Sequence, residues 1–443
     1  MSAHTQCVIR GTFFDFTQTV NDVDALPGVT RIIEDGVMVI KEGRISRLLP
    51  WETGHHLWDD CVEQHDLSGK LIVPGFIDCH IHYPQTEMIG AFGEQLLSWL
   101  ENYTFPTERQ FDCPDYAARI AAFFLEQLLS NGTTSALVFG TVHAASVNAL
   151  FAEALRRDMR LIAGKVMMDR NAPDYLLETP EQSDQQTREL IERWHRRGRL
   201  GYALTPRFAP TSSPALLEKV YALKQAWPDV WIHTHLSENR DEVNWVKTLF
   251  PDSQNYLDVY HQRGLTGRRS VFAHGIHLEE SEWCCLHKTQ SAVAFCPTSN
   301  LFLGSGLFDL HSKWRHQVSI GMGTDVGAGT TFNMLQTLGE AYKVGQLQQY
   351  RLTAAEALYH ATLGAAQALD LDSFIGNFTE GKEADFVVLD PAVSALQKLR
   401  LQRCTTVEEQ LFMLMTLGDD RNIAQTWVHG RCAWQRSTQE QAA

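Results

Sequence analysis

The chain has 443 residues, 44% hydrophobic and 21% charged, with 38 basic and 53 acidic side chains and a net charge of −15. That length allows two or three domains, or one large barrel with an appendage. The acidic balance argues against a general nucleic-acid binder, and the lack of an apolar run of about 18 residues argues against a membrane span. The first residues show no basic segment followed by an apolar one, so no secretory signal is read. Nine irregularly spaced cysteines without Cys-x-x-Cys point to reduced thiols in a cytoplasmic protein.

Residues 1–70 read as β-structure. A candidate strand covers 7–14, and runs at 36–40 and 44–49 flank Lys41-Glu42-Gly43 as a hairpin. From 71 the pattern changes to apolar runs alternating with amphipathic stretches. Eight buried-strand candidates fall at 71–79, 134–140, 160–168, 202–208, 230–236, 270–274, 291–296 and 318–324. Helical stretches lie between them. The clearest spans 115–130, with Ile120, Phe123, Phe124 and Leu128 at helical spacing. Eight alternations predict an α/β fold, a closed (β/α)8 TIM-type barrel over 71–374. Two further helices are read near 332–348 and 353–369. Strand-like runs then return at 384–389 and 426–431. The terminal segments, 1–70 and 375–443, are each too short for a good core and are expected to pack into one small β-sandwich domain beside the barrel.

In such a barrel chemistry sits at the C-terminal strand ends. The first run ends in His80-Ile81-His82, and strand alternation points both imidazoles the same way. One His-x-His is close to chance in a chain with 18 histidines, so the other strands must complete the site. The fifth run ends in His233-Thr234-His235 with Glu238 after it, the sixth in His274, and the eighth in Asp325 beside glycines. His233 is read as a hydrogen-bonded core residue, and His277 as lying beyond the site. Three imidazoles and one carboxylate leave one position open on a zinc-like ion. Such an ion lowers the pKa of its water from 15.7 to about 7. Asp325 can take the water proton, and Glu238 can pass one to the substrate. His274 can orient the nucleophile or hold developing charge.

The segments Pro-Gly-Phe-Ile-Asp-Cys-His-Ile-His (74–82), His-Thr-His-Leu-Ser-Glu (233–238), Ala-His-Gly (273–275) and Gly-Thr-Asp (323–325) resemble the amidohydrolase superfamily. His-Tyr-Pro-Gln (82–85), Thr-Pro-Arg-Phe-Ala-Pro (205–210), Phe-Cys-Pro-Thr-Ser-Asn (295–300) and the run 322–329 resemble its guanine deaminase branch. The likeness runs from about residue 7 to 435 and includes the tail segment 380–386. It implies zinc ligands at His80, His82, His235 and Asp325, and purine contacts at Gln85, Arg207, Phe208 and Glu238. It implies a catalytic role for His274. The implied reaction is guanine plus water to xanthine plus ammonia, by attack at C2, in purine catabolism or salvage. A homodimer is the family expectation.

The residue chemistry fits that substrate. Arg207 offers a rigid fork of donors to a ring carbonyl, Gln85 presents both donor and acceptor, and Phe208 can stack on the ring. An adenine-like ring would meet donors with a donor. The fourth run ends without the lysine that bridges two metals in binuclear relatives, so one ion is expected, zinc or iron. The segment 93–106 is expected to lie over the barrel mouth. Two other readings are an amidohydrolase acting on another amino- or chloro-heterocycle and a catalytically silent scaffold on the same fold.

Overall fold

The structure is a computed structural model that describes residues 7–59, 63–92 and 95–437. Eight parallel strands form a nearly closed barrel: β1 (Phe76–His82), β2 (Thr133–Phe139), β3 (Arg160–Gly164), β4 (Leu200–Pro206), β5 (Trp231–Leu236), β6 (Ser270–His274), β7 (Ala292–Phe295) and β8 (Ser319–Met322). The backbone just after β8 closes the ring against β1. Asp325 N–H donates to His80 O (2.9 Å) and His82 N–H donates to Val326 O (2.9 Å). Helices cover the strands outside, which is why β1, β2 and β4–β7 are buried along their whole length and read as continuous apolar runs.

The helix Pro114–Ser130 shows how the outer layer forms. Proline sits in its first turn, and Ala117, Ile120, Ala121, Phe124, Leu125 and Leu128 make one buried stripe. Phe123, which the spacing argument had placed on that stripe, is 53% exposed. It lies one position off the i, i+3, i+4 rows that face the strands.

The two ends of the chain meet in a separate sheet of seven strands. In order these are Arg431–Gln435, Ile423–Val428, Phe386–Leu389, Glu63–Pro74, Cys7–Phe16, Thr30–Lys41 and Arg44–Pro50, mostly antiparallel. The strand Glu63–Pro74 corrects the expected start of the barrel. Residues 71–74 pair antiparallel with Phe386–Leu389, so the run read as 71–79 splits, and the barrel strand begins at Phe76. Gly75 makes the crossing: a Cβ there would stand 2.1 Å from Thr134 Oγ1. Both sheets are buried at this point, so hydrophobicity alone does not change between them. Two helices, Ala395–Leu401 and Val407–Leu417, fill the C-terminal segment that had been read only for strands. The second packs on the barrel's outer helix Met334–Leu347, with the Tyr342 and Phe412 rings 5.0 Å apart edge to face.

Candidate active site

The strand ends converge on one point. His80 and His82 come from β1, His235 from β5 and Asp325 from the turn after β8. The Nε2 atoms of His82 and His80 are 3.2 Å apart, as are those of His235 and His82. Asp325 Oδ1 lies 3.2 Å from His80 Nε2 and 3.4 Å from His82 Nε2. Arg207 O can only accept, so His235 Nδ1, 2.6 Å away, carries the proton, and Nε2 is a bare lone pair. That lone pair faces two further ring nitrogens and a carboxylate. Donors held about 2.0–2.1 Å from a tetrahedral ion stand about 3.3 Å from one another, which matches this set. The residues therefore fit a divalent ion.

The protonation states agree. Burial pushes the His235 imidazole well below its ordinary value and takes His82 down to about 3. Burial opposes ionisation of Asp325 too, but His80, His82 and His274 outweigh it and hold the carboxyl well below the usual range. Metal ligands must be deprotonated, and these shifts favour that state. Cys296 also approaches His80 and Asp325. Burial, with nearby carboxylates, pushes its thiol up, and it donates to Ala294 O at 3.5 Å, so it stands aside as a ligand.

The other expected residues line the cavity beside this cluster. It encloses about 390 Å³ including its open mouth, with Gln85, Arg207, Phe208, Glu238 and His274 on its walls. Gln85 sits on the turn Tyr83–Met88 directly after β1, and its Oε1 accepts from Gly327 N–H (3.2 Å). Arg207 and Phe208 follow β4. His274 Nδ1 meets Asn300 Oδ1 at 2.9 Å, leaving Nε2 3.4 Å from Glu238 Oε2 and 3.8 Å from Asp325 Oδ2. Burial, then Asp325 and Glu242, push the Glu238 carboxyl well above its ordinary value. Two adjacent carboxyls are thus driven apart, Asp325 toward the ionised form and Glu238 toward the protonated form. That is how an acid and a base share one site. His274 and Asp325 also hold left-handed backbone (φ 75° and 52°), an uncommon conformation for residues with side chains.

Leu96, Trp99 and Leu100, from the segment after β1, line the cavity, while residues 93 and 94 of that segment lie outside the described residues. His277 is outside the cavity, with its Nε2 3.0 Å from Ser305 O. His233 is buried in the core, yet its Nε2 is 2.8 Å from His80 Nδ1, so it also fixes the rotation of that ring. Sequence reasoning missed Glu108, Asn300 and Ser305. Glu108 is fully buried and receives Arg207 Nη1 on both carboxylate oxygens, each at 2.9 Å. Ser305 Oγ is 3.4 Å from Glu238 Oε1. Asn300 stood within the recognised segment 295–300. Glu108 closes the four-residue helix Phe105–Glu108 and Ser305 lies in a loop, and neither carried a signal.

Comparisons with known proteins agree with this geometry. The amidohydrolase family model matches residues 71–433. The chain is 59% identical over 434 residues to the guanine deaminase of Escherichia coli (strain K12), covering 98% of this chain and 99% of that one. The E. coli guanine deaminase structure superposes with a TM-score of 0.95, covering 98% of this chain and 100% of the other at 58% identity. A guanine deaminase from C. acetobutylicum, crystallised with guanine in its active site, superposes at 0.86 with 28% identity, covering 97% and 100%. The family match spans most of the chain, including the strand-end rim, and the chain belongs to the amidohydrolase family.

Proposed function

We propose that the chain hydrolyses guanine to xanthine and ammonia, the activity named for relatives that it matches from end to end. The observation that carries the reading is that full-length identity, joined to a rim in which every catalytic residue type is present and facing one cavity. His80, His82, His235 and Asp325 would hold one zinc ion per chain, with iron as the other candidate. Bound there, the ion supplies a water acidic enough to ionise near neutral pH.

The chain's own groups do the rest. Arg207 donates to the guanine carbonyl, Gln85 reads the adjoining ring edge, and Phe208 stacks on the face. This holds C2 toward the histidine cluster. Asp325, kept ionised, accepts the proton of the attacking water. Glu238, kept protonated by its surroundings, delivers a proton to the ring as the carbon becomes tetrahedral; the proton that Asp325 took then passes to the departing amine while the new C2 hydroxyl returns one to Glu238. His274 Nε2 lies between the two carboxyls and orients the water. Leu96, Trp99 and Leu100 exclude bulk solvent, which strengthens each of these interactions.

We read the chain as a cytoplasmic protein acting in purine catabolism or salvage. No helix among the described residues is long and apolar enough to cross a membrane. It is expected to be a homodimer. Leu396 and Leu399, one turn apart on Ala395–Leu401, are 60% and 66% exposed and offer apolar surface to a second copy.

The direct test is zinc-reconstituted protein assayed for loss of guanine absorbance and release of ammonia, with bound metal measured in parallel. Turnover of guanine with about one zinc per chain is expected. Inactivity on guanine alongside robust turnover of another aminopurine or a triazine would replace this reading.

A further inference from the structure

Glu108 ends the short helix Phe105–Glu108, in the excursion between β1 and the helix Pro114–Ser130. It belongs to no strand end. Its carboxylate nevertheless lies directly behind two residues of the cavity wall, Arg207 and Gln85. Arg207 Nη1 binds both of its oxygens, Gln85 Nε2 approaches Oε1 at 3.4 Å, and Phe105 of the same helix lies 5.6 Å beneath the Arg207 guanidinium. Arg207 is 3% exposed and Glu108 is fully buried. The guanidinium thus has one nitrogen committed to Glu108, and its remaining donors are available to the cavity.

A buried cation facing a ligand would favour anions over neutral rings. A carboxylate on its far side cancels that preference while leaving the donors in place. Guanine is neutral at physiological pH. Xanthine, with a second carbonyl beside a ring N–H, ionises more readily. Substrate and product therefore differ in charge; the new carbonyl forms at C2, on the histidine side, and the conjugated ring spreads the resulting negative charge toward the carbonyl that Arg207 reads.

We propose that Glu108 is a positioning and charge-balancing residue for this reaction: it fixes the Arg207 fork toward the ring carbonyl and keeps the purine half of the pocket electrically neutral, so that neutral guanine is bound and the more acidic product is let go. The proposal rests on the reading that guanine is the substrate and that its carbonyl faces Arg207. Gln85, held between Gly327 N–H and Glu108, is aligned by the same group.

The test uses the metal-loaded full chain, wild type and Glu108→Gln, with kcat, KM for guanine and inhibition by xanthine measured at pH 6 and pH 8. Metal content and melting temperature are recorded alongside. The glutamine keeps an acceptor for Arg207 but removes the balancing charge. Xanthine inhibition is expected to tighten by about tenfold or more at pH 8, the scale of one unit charge acting across a few ångströms at an effective dielectric near 20. At pH 6, where xanthine is neutral, the change should largely vanish. KM should rise more than kcat falls. A purely structural role would shift melting temperature without this pH-dependent split. Unchanged xanthine inhibition, or an equal change at both pH values, in a folded and metal-loaded variant overturns the proposal. If Glu108→Gln does not fold, Glu108→Asp decides. It keeps the charge but withdraws it, so KM should rise while xanthine inhibition keeps its wild-type pH dependence, and a tightening confined to pH 8 counts against the idea. A wild-type protein that does not turn over guanine overturns the substrate reading itself, an outcome separable from all of these.

Discussion

Two clusters of buried charge sit at opposite ends of the same barrel, and they are built on opposite principles. At the bottom, beside the starts of β3 and β4, Arg160 and Arg199 both bind Glu383, and Arg199 also reaches Asp385. Every cation there has an anion, and His429 N–H satisfies the second oxygen of Asp385 (2.7 Å). At the top, three imidazole nitrogens face one another within 3.2 Å steps, with a single carboxylate among them and no proton to share at the His235 lone pair. The bottom cluster is complete as protein. The top cluster is complete only with a ligand. Burial and charge are alike in both places, so neither identifies a functional site. The mismatch of donors and acceptors does.

That contrast can be broken by mutation. The largest effect is expected from His235→Asn, which should lower kcat/KM for guanine by about 10³-fold or more along with metal content, since the ion contributes several kcal/mol to the transition state. Its metal-free form should melt within about 1 kcal/mol of metal-free wild type, because the removed ring served a ligand and not the fold. A large loss of metal-free stability would erase the distinction drawn above.

Next comes the opposite end. Glu383→Ala leaves the buried Arg199 and the half-buried Arg160 short of a partner and should cost about 3–5 kcal/mol in denaturant melts. Turnover per folded molecule should not change. Reduced kcat with unaltered stability would show the bottom cluster to be more than scaffold.

The same carboxylate gives a pH test. Burial opposes its ionisation, but Arg160 and Arg199 prevail and bring it down to about 2 from an ordinary 4.5. A depressed carboxyl stabilises the fold above its unfolded value and loses that contribution as pH falls through the folded one. Wild type should therefore lose about 3 kcal/mol between pH 4.5 and 2 from this group. Glu383→Gln should lack that portion of the acid slope, and identical slopes would refute the assignment.

The smallest effect is expected on the purine side. Arg207→Lys should raise KM for guanine about 10- to 100-fold, the 1.5–3 kcal/mol of a charged hydrogen bond, with metal content intact. Loss of metal instead would tie Arg207 to the ion through its carbonyl contact with His235 rather than to the substrate.

The legibility of the molecule follows its periodicity. Strand alternation put His80 and His82 on one face, and the eightfold repeat of apolar run and amphipathic stretch told the fold class. Residues at strand ends inherit their position from the barrel, so His235, His274 and Asp325 could be named before any coordinates. The split at Gly75 could not, because two buried sheets abut there with no change of composition.

What the sequence determined by itself was the set of groups carried by regular elements: a parallel barrel, a rim of ligand types at strand ends, and the side chains proposed to contact a purine after β1 and β4. What only the tertiary structure decided were the partners those groups meet. Glu108 on a four-residue helix, Asn300 on the six-residue helix Pro297–Phe302 and Ser305 in the loop beyond it reach the site from pieces too short to show a period. Their roles follow from long-range packing, which brings residues 99 positions apart into one ion pair and leaves no trace in local order along the chain.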